Sequence, residues 1–468
     1  MTIDSSYQAV MARKNEIMKS SMGLDYEKYK LGNIAFDYER MMDDCGFSLA
    51  DIIRLQSETK VGNTPLFELK NLTEAVRKIS APGKGARIFL KDEAANAAGS
   101  FKARRASVSC YVAAQKGYKG VIAATSGNYG AAVASQAAQR GLKCIIVQEV
   151  FDSKGIGQPE IVEKGRKCEA FGAEVIKLSV GPELFYYLLL TLEETGFFNA
   201  SLYTPFGVKG VETLGNEIAC QVKAMTGKHP DAVVVTHAGG GNLTGTARGL
   251  IGAGCNAKII ACSVDLSGLH MASDKDFNRK SFTTGHTGFG VPFATWPDRV
   301  DVPRNAARSL RYMDDYILVN QGEVFYITEL LAKMEGIERG PAGNTSVTGA
   351  VALAREMDQD QIIVVQETEY TGAGKHHNSQ LAFARKMGIE VRCGDPATCE
   401  NGKSIVIPQN LAQVRGKYQD MEKLKLSYLR NAAKLCPINL WSEADKQFVA
   451  QDIKHDETWV EAQLAALP

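Results

Sequence analysis

The sequence predicts an α/β protein with two open, mainly parallel sheets flanked by helices, and with helical extensions at both ends. Three observations carry that prediction. The chain has 468 residues, beyond the size at which a single hydrophobic core keeps growing, so more than one packed unit is expected. From about residue 60 to residue 400, apolar runs of strand length alternate with helical periodicity, as in parallel strands joined by crossover helices. Outside those limits the alternation stops and amphipathic helical spacing takes over.

Composition narrows the function classes. Apolar residues are 45% and charged residues 23% of the chain, with a net charge of +1. That balance is ordinary for a globular protein and provides no global field for nucleic acid or an anionic membrane. Any bound anion must therefore be held by a local device. The start, Met1 to Gln8, lacks the basic and apolar regions of a signal peptide, and no apolar run reaches membrane-spanning length. Ten scattered cysteines fit free thiols in a reducing, cytoplasmic setting. Cys393, Cys399 and Cys436 are spaced too widely for a paired metal ligand, and no metal is expected.

Residues 1–57 read as a helical extension, with Phe36, Met41, Cys45, Leu49, Ile52 and Leu55 on one face. Arg87–Lys91 is the first clear strand, followed by a helix from Lys102 to Gln115. Val121–Ala124 and Cys144–Val147 are short buried strands separated by an alanine-rich helix that Gly127 opens. A helix over 158–171, with Pro159 in its first turn, leads to a strand over 174–178. Val211, Leu214, Ile218, Val222 and Met225 then mark a helix that stops by Gly227. Strands at 231–236 and 258–264 follow, then a long loop over 270–300, helices over 322–334 and 345–356, and a strand at 361–366. Leu411, Val414, Tyr418, Met421, Leu424 and Tyr428 predict one long amphipathic helix, and Ser442 to Asp445 a capping box opening another. The expected division is a 1–57 extension, a larger unit of 58–87 with 206–400, a smaller unit of 88–205, and a 401–468 extension.

Four stretches carry chemistry. Lys102 lies in Gly99–Ser107, after a run poor in charge; an amine partly withdrawn from water there can stay neutral and attack a carbonyl. A lysine beside a helix start is more often simply solvated, so the other stretches must decide. Thr236-His-Ala-Gly-Gly-Gly-Asn-Leu joins a strand to a helix, and its glycines let backbone amides converge on a phosphate. A dinucleotide stays open at this level: Thr244 spoils the last glycine of G-x-G-x-x-G, yet Asp265 ends the next strand. Thr125-Ser-Gly-Asn-Tyr-Gly130 opens a helix and suits a small carboxylate or a ring hydroxyl. Glu367-Thr-Glu-Tyr-Thr-Gly-Ala-Gly-Lys375 leaves the last strand on the side where open parallel sheets bind ligands.

In this order, Val61-Gly-Asn-Thr-Pro-Leu66, Ser100-Phe-Lys-Ala-Arg104, Ser126–Gly130, Gly239–Asn242 and Thr371–Lys375 resemble the fold type II pyridoxal-phosphate enzymes over about residues 60–390. The resemblance implies Lys102 as the Schiff-base lysine and Asn128 at the cofactor's ring hydroxyl. It implies Ser126, Gly127 and Tyr129 at the substrate carboxylate, and Gly239, Gly240, Gly241, Asn242 and Leu243 at the phosphate. Thr371 would face the pyridine nitrogen, with Glu367 and Glu369 as competing partners that would make a stronger electron sink. Arg105 departs from the pattern, standing where a glycine often follows, and Asn242 replaces a fourth glycine.

The extensions, Thr284–Phe293 and Glu338–Thr345 further resemble the large subunits of 2-amino-4-oxopentanoate thiolases of ornithine fermentation. That resemblance implies coenzyme A as acyl acceptor, a small alpha subunit and a homodimer of this chain within the assembly. His286, His376 and His377 become candidate acid–base groups or coenzyme A contacts. An elimination or replacement enzyme of the same group, and a non-catalytic scaffold subunit of that fold, are the alternative expectations.

Overall fold

A computed structural model describes residues 4–125, 127–267, 274–283, 302–370 and 373–466. Its larger sheet has seven strands in the order β1-β2-β10-β7-β8-β9-β13. These are β1 (Leu66–Glu68), β2 (Arg87–Asp92), β7 (Ala232–Thr236), β8 (Lys258–Val264), β9 (Asp315–Val319), β10 (Ile362–Glu367) and β13 (Lys417–Tyr418). The five inner strands run parallel, and β1 and β13 close the edges antiparallel. Burial on both faces explains the unbroken apolar runs Ala232–Val235 and Ile362–Val365.

The smaller sheet has four parallel strands in the order β5-β4-β3-β6: β3 (Gly120–Thr125), β4 (Lys143–Phe151), β5 (Glu174–Ser179) and β6 (Phe198–Asn199). A parallel pair, β11 (Glu390–Cys393) and β12 (Ser404–Ile407), stands apart from both. The two sheets share one buried cluster that includes Val108 and Val112 from the helix Lys102–Gln115 and Val208, Val211 and Leu214 from the helix Pro205–Thr226.

Topology fixes where a ligand can bind. From β7 the chain proceeds outward through β8 and β9, then returns to place β10 on the other side of β7. Strand order reverses between β7 and β10, and the crevice at such a switch point is the general ligand position of open parallel sheets. The glycine run leaves β7 there, and Glu367 ends β10 there.

Two expectations need correction. Arg87–Asp92 pairs with β10 over six positions, so β2 belongs to the larger sheet and the passage to the smaller one comes after Asp92 rather than at 87/88. The predicted long helix from Leu411 is broken: Leu411–Gln413 is a single tight turn, Lys417–Tyr418 pairs with β9, and only Met421–Leu435 is helix. The step of three to four apolar residues was maintained across a turn and an edge strand, where it reflects burial and not helical phase. The predicted capping box is present at Ser442 and Asp445. The expected loop over 270–300 lies mostly outside the described residues.

The extensions hold each other. The Asp445 carboxylate accepts from the backbone N–H groups of Ile34 and Ala35, both at 2.7 Å, as well as from the Ser442 hydroxyl at 2.8 Å. Asp452 receives Arg308 at 3.1 Å and Arg311 at 2.9 Å, tying the C-terminal helices to residues 308–311 of the body.

Candidate active site

Lys102 begins its helix, with the preceding loop fastened to the exit of β10. Phe101 N–H donates to the Thr368 carbonyl at 3.0 Å and Tyr370 N–H to the Gly99 carbonyl at 2.8 Å, a short antiparallel bridge centred on Ser100 and Glu369. The lysine loop and the Glu367–Tyr370 segment are therefore one piece of structure. Behind it, Arg104 is wholly buried. Its guanidinium donates to Glu93 at 2.7 and 2.8 Å and to Glu217 at 2.8 Å twice, while Lys91 reaches Glu217 at 2.7 Å. Burial would raise the Glu217 pKa, but Arg104 and Lys91 bring it down to about 2. Two cations against two carboxylates hold the helix start in place.

In front of the helix the balance differs. Burial, with Arg105 and Lys164 adding like charge, lowers the Lys102 pKa to about 7. An amine there is substantially neutral at physiological pH, as a nucleophile or base must be. Lys164 lies beside the carboxylate loop: a Cβ on Gly127 would come within 3.1 Å of its side chain. Burial opposes its charge, but its partner Glu160 and then Glu369 outweigh that and raise its pKa, so it stays cationic. Asn128, the first residue of the helix Asn128–Gln139, donates its amide to Glu369 at 2.9 Å.

The glycine run after β7 forms a crowded cup. Gly240 has φ of +81°, a left-handed conformation, and caps the helix Gly241–Gly252. Added Cβ atoms would overlap the Tyr203 hydroxyl at Gly239, lie 2.7 Å from Ser309 Oγ at Gly240, and lie 2.5 Å from an Arg105 nitrogen at Gly241. No side chain fits. Asn242 Nδ2 is buried there without a hydrogen-bond partner among the described residues. His237, at the end of β7, contacts Ser309 at 3.1 Å and Tyr316 at 3.3 Å, and burial lowers its pKa to about 4, so it is neutral.

Glu367 closes β10 as a buried carboxyl with neither oxygen hydrogen-bonded among the described residues. Burial, then Glu369, pushes its pKa well above the ordinary carboxylate range. It packs so tightly on the helix Pro341–Ala354 that a Cβ on Gly343 would overlap Oε1.

The structure thus brings Lys102, Gly127 and Asn128 together with Glu369, and places Gly239–Leu243 at the helix start after β7. Tyr129 turns its side chain into the core, where its hydroxyl donates to the Ala200 carbonyl at 2.5 Å, so the side chain does not point at a ligand. The side chain of Leu243 is likewise buried, leaving its N–H for the cup. Ser126, Thr371 and His286 lie outside the described residues, as do the side chains of His376 and His377. Lys164 and Glu160 were missed by sequence reasoning. Their spacing of four residues reads as a surface helix pair, and nothing local marks the helix Pro159–Ala170 as facing the site. Among the described residues no group of three metal-ligating side chains occurs.

A partly neutral amine, a phosphate-sized cup with an orphaned donor, and a polar amide between them suit pyridoxal phosphate. Comparison with known proteins agrees. Residues 58–369 match the family model described as pyridoxal-phosphate dependent enzyme. The chain is 61% identical to the 2-amino-4-ketopentanoate thiolase beta subunit of Acetoanaerobium sticklandii over 99% of its own length and 98% of that protein's. It is 62% identical to a protein of the same description from an unknown prokaryotic organism, over 98% of each chain. The crystal structure of cysteine synthase from Entamoeba histolytica superposes with a TM-score of 0.52 at 20% identity, covering 70% of this chain and 94% of that one, and so shares the fold. The cofactor is pyridoxal phosphate, and the chain belongs to the pyridoxal-phosphate-dependent enzymes, in the family of the 2-amino-4-ketopentanoate thiolase beta subunits.

Proposed function

We propose that this chain is the catalytic subunit that cleaves 2-amino-4-oxopentanoate with coenzyme A, giving acetyl-CoA and alanine in ornithine breakdown. One observation carries the reading: 61% identity to a thiolase beta subunit extends over 99% of the chain, through both extensions as well as the shared fold. The beta designation of that relative supports a smaller alpha partner, and we assign the chain a homodimeric place in a cytoplasmic hetero-oligomer. No described helix is long and apolar enough to cross a membrane. The lobes we assign are the units built on the two sheets, with the cofactor between them.

When bound, the cofactor supplies an electron sink conjugated with the substrate nitrogen. The chain's residues do the rest. The Lys102 amine would accept the α-proton; its lowered pKa suits that task near pH 7. The N–H groups of Gly127 and Tyr129, with Ser126, hold the substrate carboxylate, and cationic Lys164 beside Gly127 adds charge there. Asn128 holds the ring hydroxyl, oriented by Glu369. Gly239–Leu243 receive the phosphate. We assign Thr371 to the ring nitrogen; Glu369 is committed to Asn128, which leaves Glu367 as the competing partner. Coenzyme A thiolate would attack the 4-oxo carbon; as the bond between carbons 3 and 4 breaks, the acyl group leaves as acetyl-CoA and the electron pair stays with carbon 3, which takes up a proton to give alanine.

The test is an assay of the purified chain, with and without the small partner, for coenzyme-A-dependent formation of acetyl-CoA and alanine from 2-amino-4-oxopentanoate. Ammonia or a 2-oxo acid released without coenzyme A would replace this reading with an elimination enzyme. Capture of pyridoxal phosphate by the apoenzyme is expected to accelerate with pH and level off above about 7, following the Lys102 amine.

A further inference from the structure

Arg105 occupies a position where the fold's motif often carries glycine, and the structure shows where its side chain goes. It is 3% exposed. Its guanidinium lies against the glycine run: a Cβ on Gly241 would come 2.5 Å from one terminal nitrogen and 2.8 Å from Cζ and the other. A Cβ on Gly207, in the first turn of the helix Pro205–Thr226, would come 3.7 Å from Nε. The cation therefore rests beside the N-terminal ends of two helices, each bearing a partial positive charge of about half an elementary unit. The rings of Tyr203 and Tyr129, with centroids 5.7 and 5.9 Å away, flank the guanidinium. Three positive ends converging on one small volume favour an anion strongly. Asn242 gives an independent sign of a ligand: the residue is 6% exposed and its Nδ2 has no hydrogen-bond partner among the described residues.

We propose that Arg105 is the counter-cation of the cofactor's phosphate, donating to it across the mouth of the glycine cup. The inference rests on the assignment of Gly239–Leu243 to the phosphate. It also accounts for the spacing. Lys102 and Arg105 are three residues apart on one helix face, about 5–6 Å between Cβ atoms. The carbonyl that the amine attacks and the phosphate arm stand on neighbouring carbons of the pyridine ring. One turn of helix thus addresses both ends of the cofactor's reactive edge. A guanidinium with paired N–H groups suits a phosphate better than an ammonium does.

The experiment compares pyridoxal phosphate with pyridoxal, which lacks the phosphate, by titrating the apoenzyme and reading cofactor absorbance. Arg105→Met is expected to weaken pyridoxal phosphate by about 10- to 100-fold, the size of a lost charge-assisted hydrogen bond, while pyridoxal changes by less than about 3-fold. Arg105→Lys should recover part of the loss. Equal weakening of both ligands, or no weakening of the phosphate form, would overturn the proposal. Should both variants fail to fold, a crystal structure of the unaltered holoenzyme decides: a guanidinium nitrogen within about 3.2 Å of a phosphate oxygen supports it and a longer separation sinks it. Asn242→Ala tests the cup itself. If that variant loses phosphate-dependent affinity and Arg105→Met does not, the cup stands and the arginine's role falls.

Discussion

The back and the front of the Lys102 helix are built to different rules, and two neighbouring arginines mark the contrast. On the back, Arg104 and Lys91 meet Glu93 and Glu217, with Thr64, Thr213 and Gln221 taking the remaining hydrogen bonds. Those charges are satisfied by the chain itself. On the front, Asn242 Nδ2 and both Glu367 oxygens find no hydrogen-bond partner among the described residues, and Lys102 is held near neutrality by burial and then by surrounding positive charge. A buried polar group left unmade costs about 1–3 kcal/mol, so such groups persist where a ligand completes them. The back fixes position; the front, on the assignment proposed above, is completed by the cofactor.

The strongest way to break this comparison is at Lys102. Replacement by Ala should lower turnover by at least about 10³-fold, since both the covalent attachment and the proton acceptor are lost. Borohydride should then fail to fix cofactor to the protein, while the urea midpoint stays near that of the parent chain. A turnover within a few fold of the parent would remove Lys102 from its assigned role.

Arg104→Met tests the other side. It leaves buried Glu93 and partly buried Glu217 with Lys91 as their remaining cation, and breaking such a network costs about 3–5 kcal/mol. The expected signature is the reverse of the lysine variant: a large fall in the urea midpoint, with residual activity roughly in proportion to the folded fraction. A midpoint unchanged within error would mean that the network is not what holds the helix start.

Much of this division was legible in the sequence, and the illegible parts have physical reasons. Alternating strands and helices, and the order of the four polar stretches, follow from local periodicity and turn chemistry. The Gly239–Gly241 run declared its cup because three glycines are needed where Tyr203, Ser309 and Arg105 crowd the backbone. What surrounds Lys102 was not legible. Glu160 and Lys164 look like a solvated pair until the fold turns their helix toward Gly127. Strand β2 was misplaced at its sheet boundary because its partner β10 lies 275 residues later, beyond any local signal. The Asp445 contact with Ile34 and Ala35 spans 411 and 410 residues in sequence and has the same cause. Gly416, at φ +62°, and the pairing of Lys417–Tyr418 break a periodicity that otherwise reads as helix.

Glu367 gives a subtler test of the front, made on the apoenzyme. Its pKa is raised in the folded protein, so between the unfolded value and the folded one the folded state binds the extra proton. Stability is then fully present below the unfolded pKa and is lost as pH rises toward the folded one, by at most about 1.4 kcal/mol per pH unit. Glu367→Gln removes that slope. The variant should match the parent near pH 4 and gain on it steadily towards pH 7 in urea titrations. Parallel curves for the two proteins would show that the carboxyl is already paired without the cofactor.

The smallest expected effect lies farthest from the site and asks whether the extensions belong to the satisfied side of the comparison. Ser442 caps the helix Glu443–Asp452 and donates to Asp445, which in turn receives the backbone of residues 33–35. Ser442→Ala should cost about 1 kcal/mol, the usual value of an N-cap. Asp445 still has its backbone donors, so the N-terminal extension should stay docked. That same helix ends at Asp452, which anchors Arg308 and Arg311 on either side of Ser309, the residue against Gly240. If the extension merely covers surface, the loss will be confined to stability. If it supports the cup, affinity for pyridoxal phosphate will fall with it by a few fold, while affinity for pyridoxal is unchanged. That second outcome would place the C-terminal helices among the parts that hold the phosphate end of the site in register.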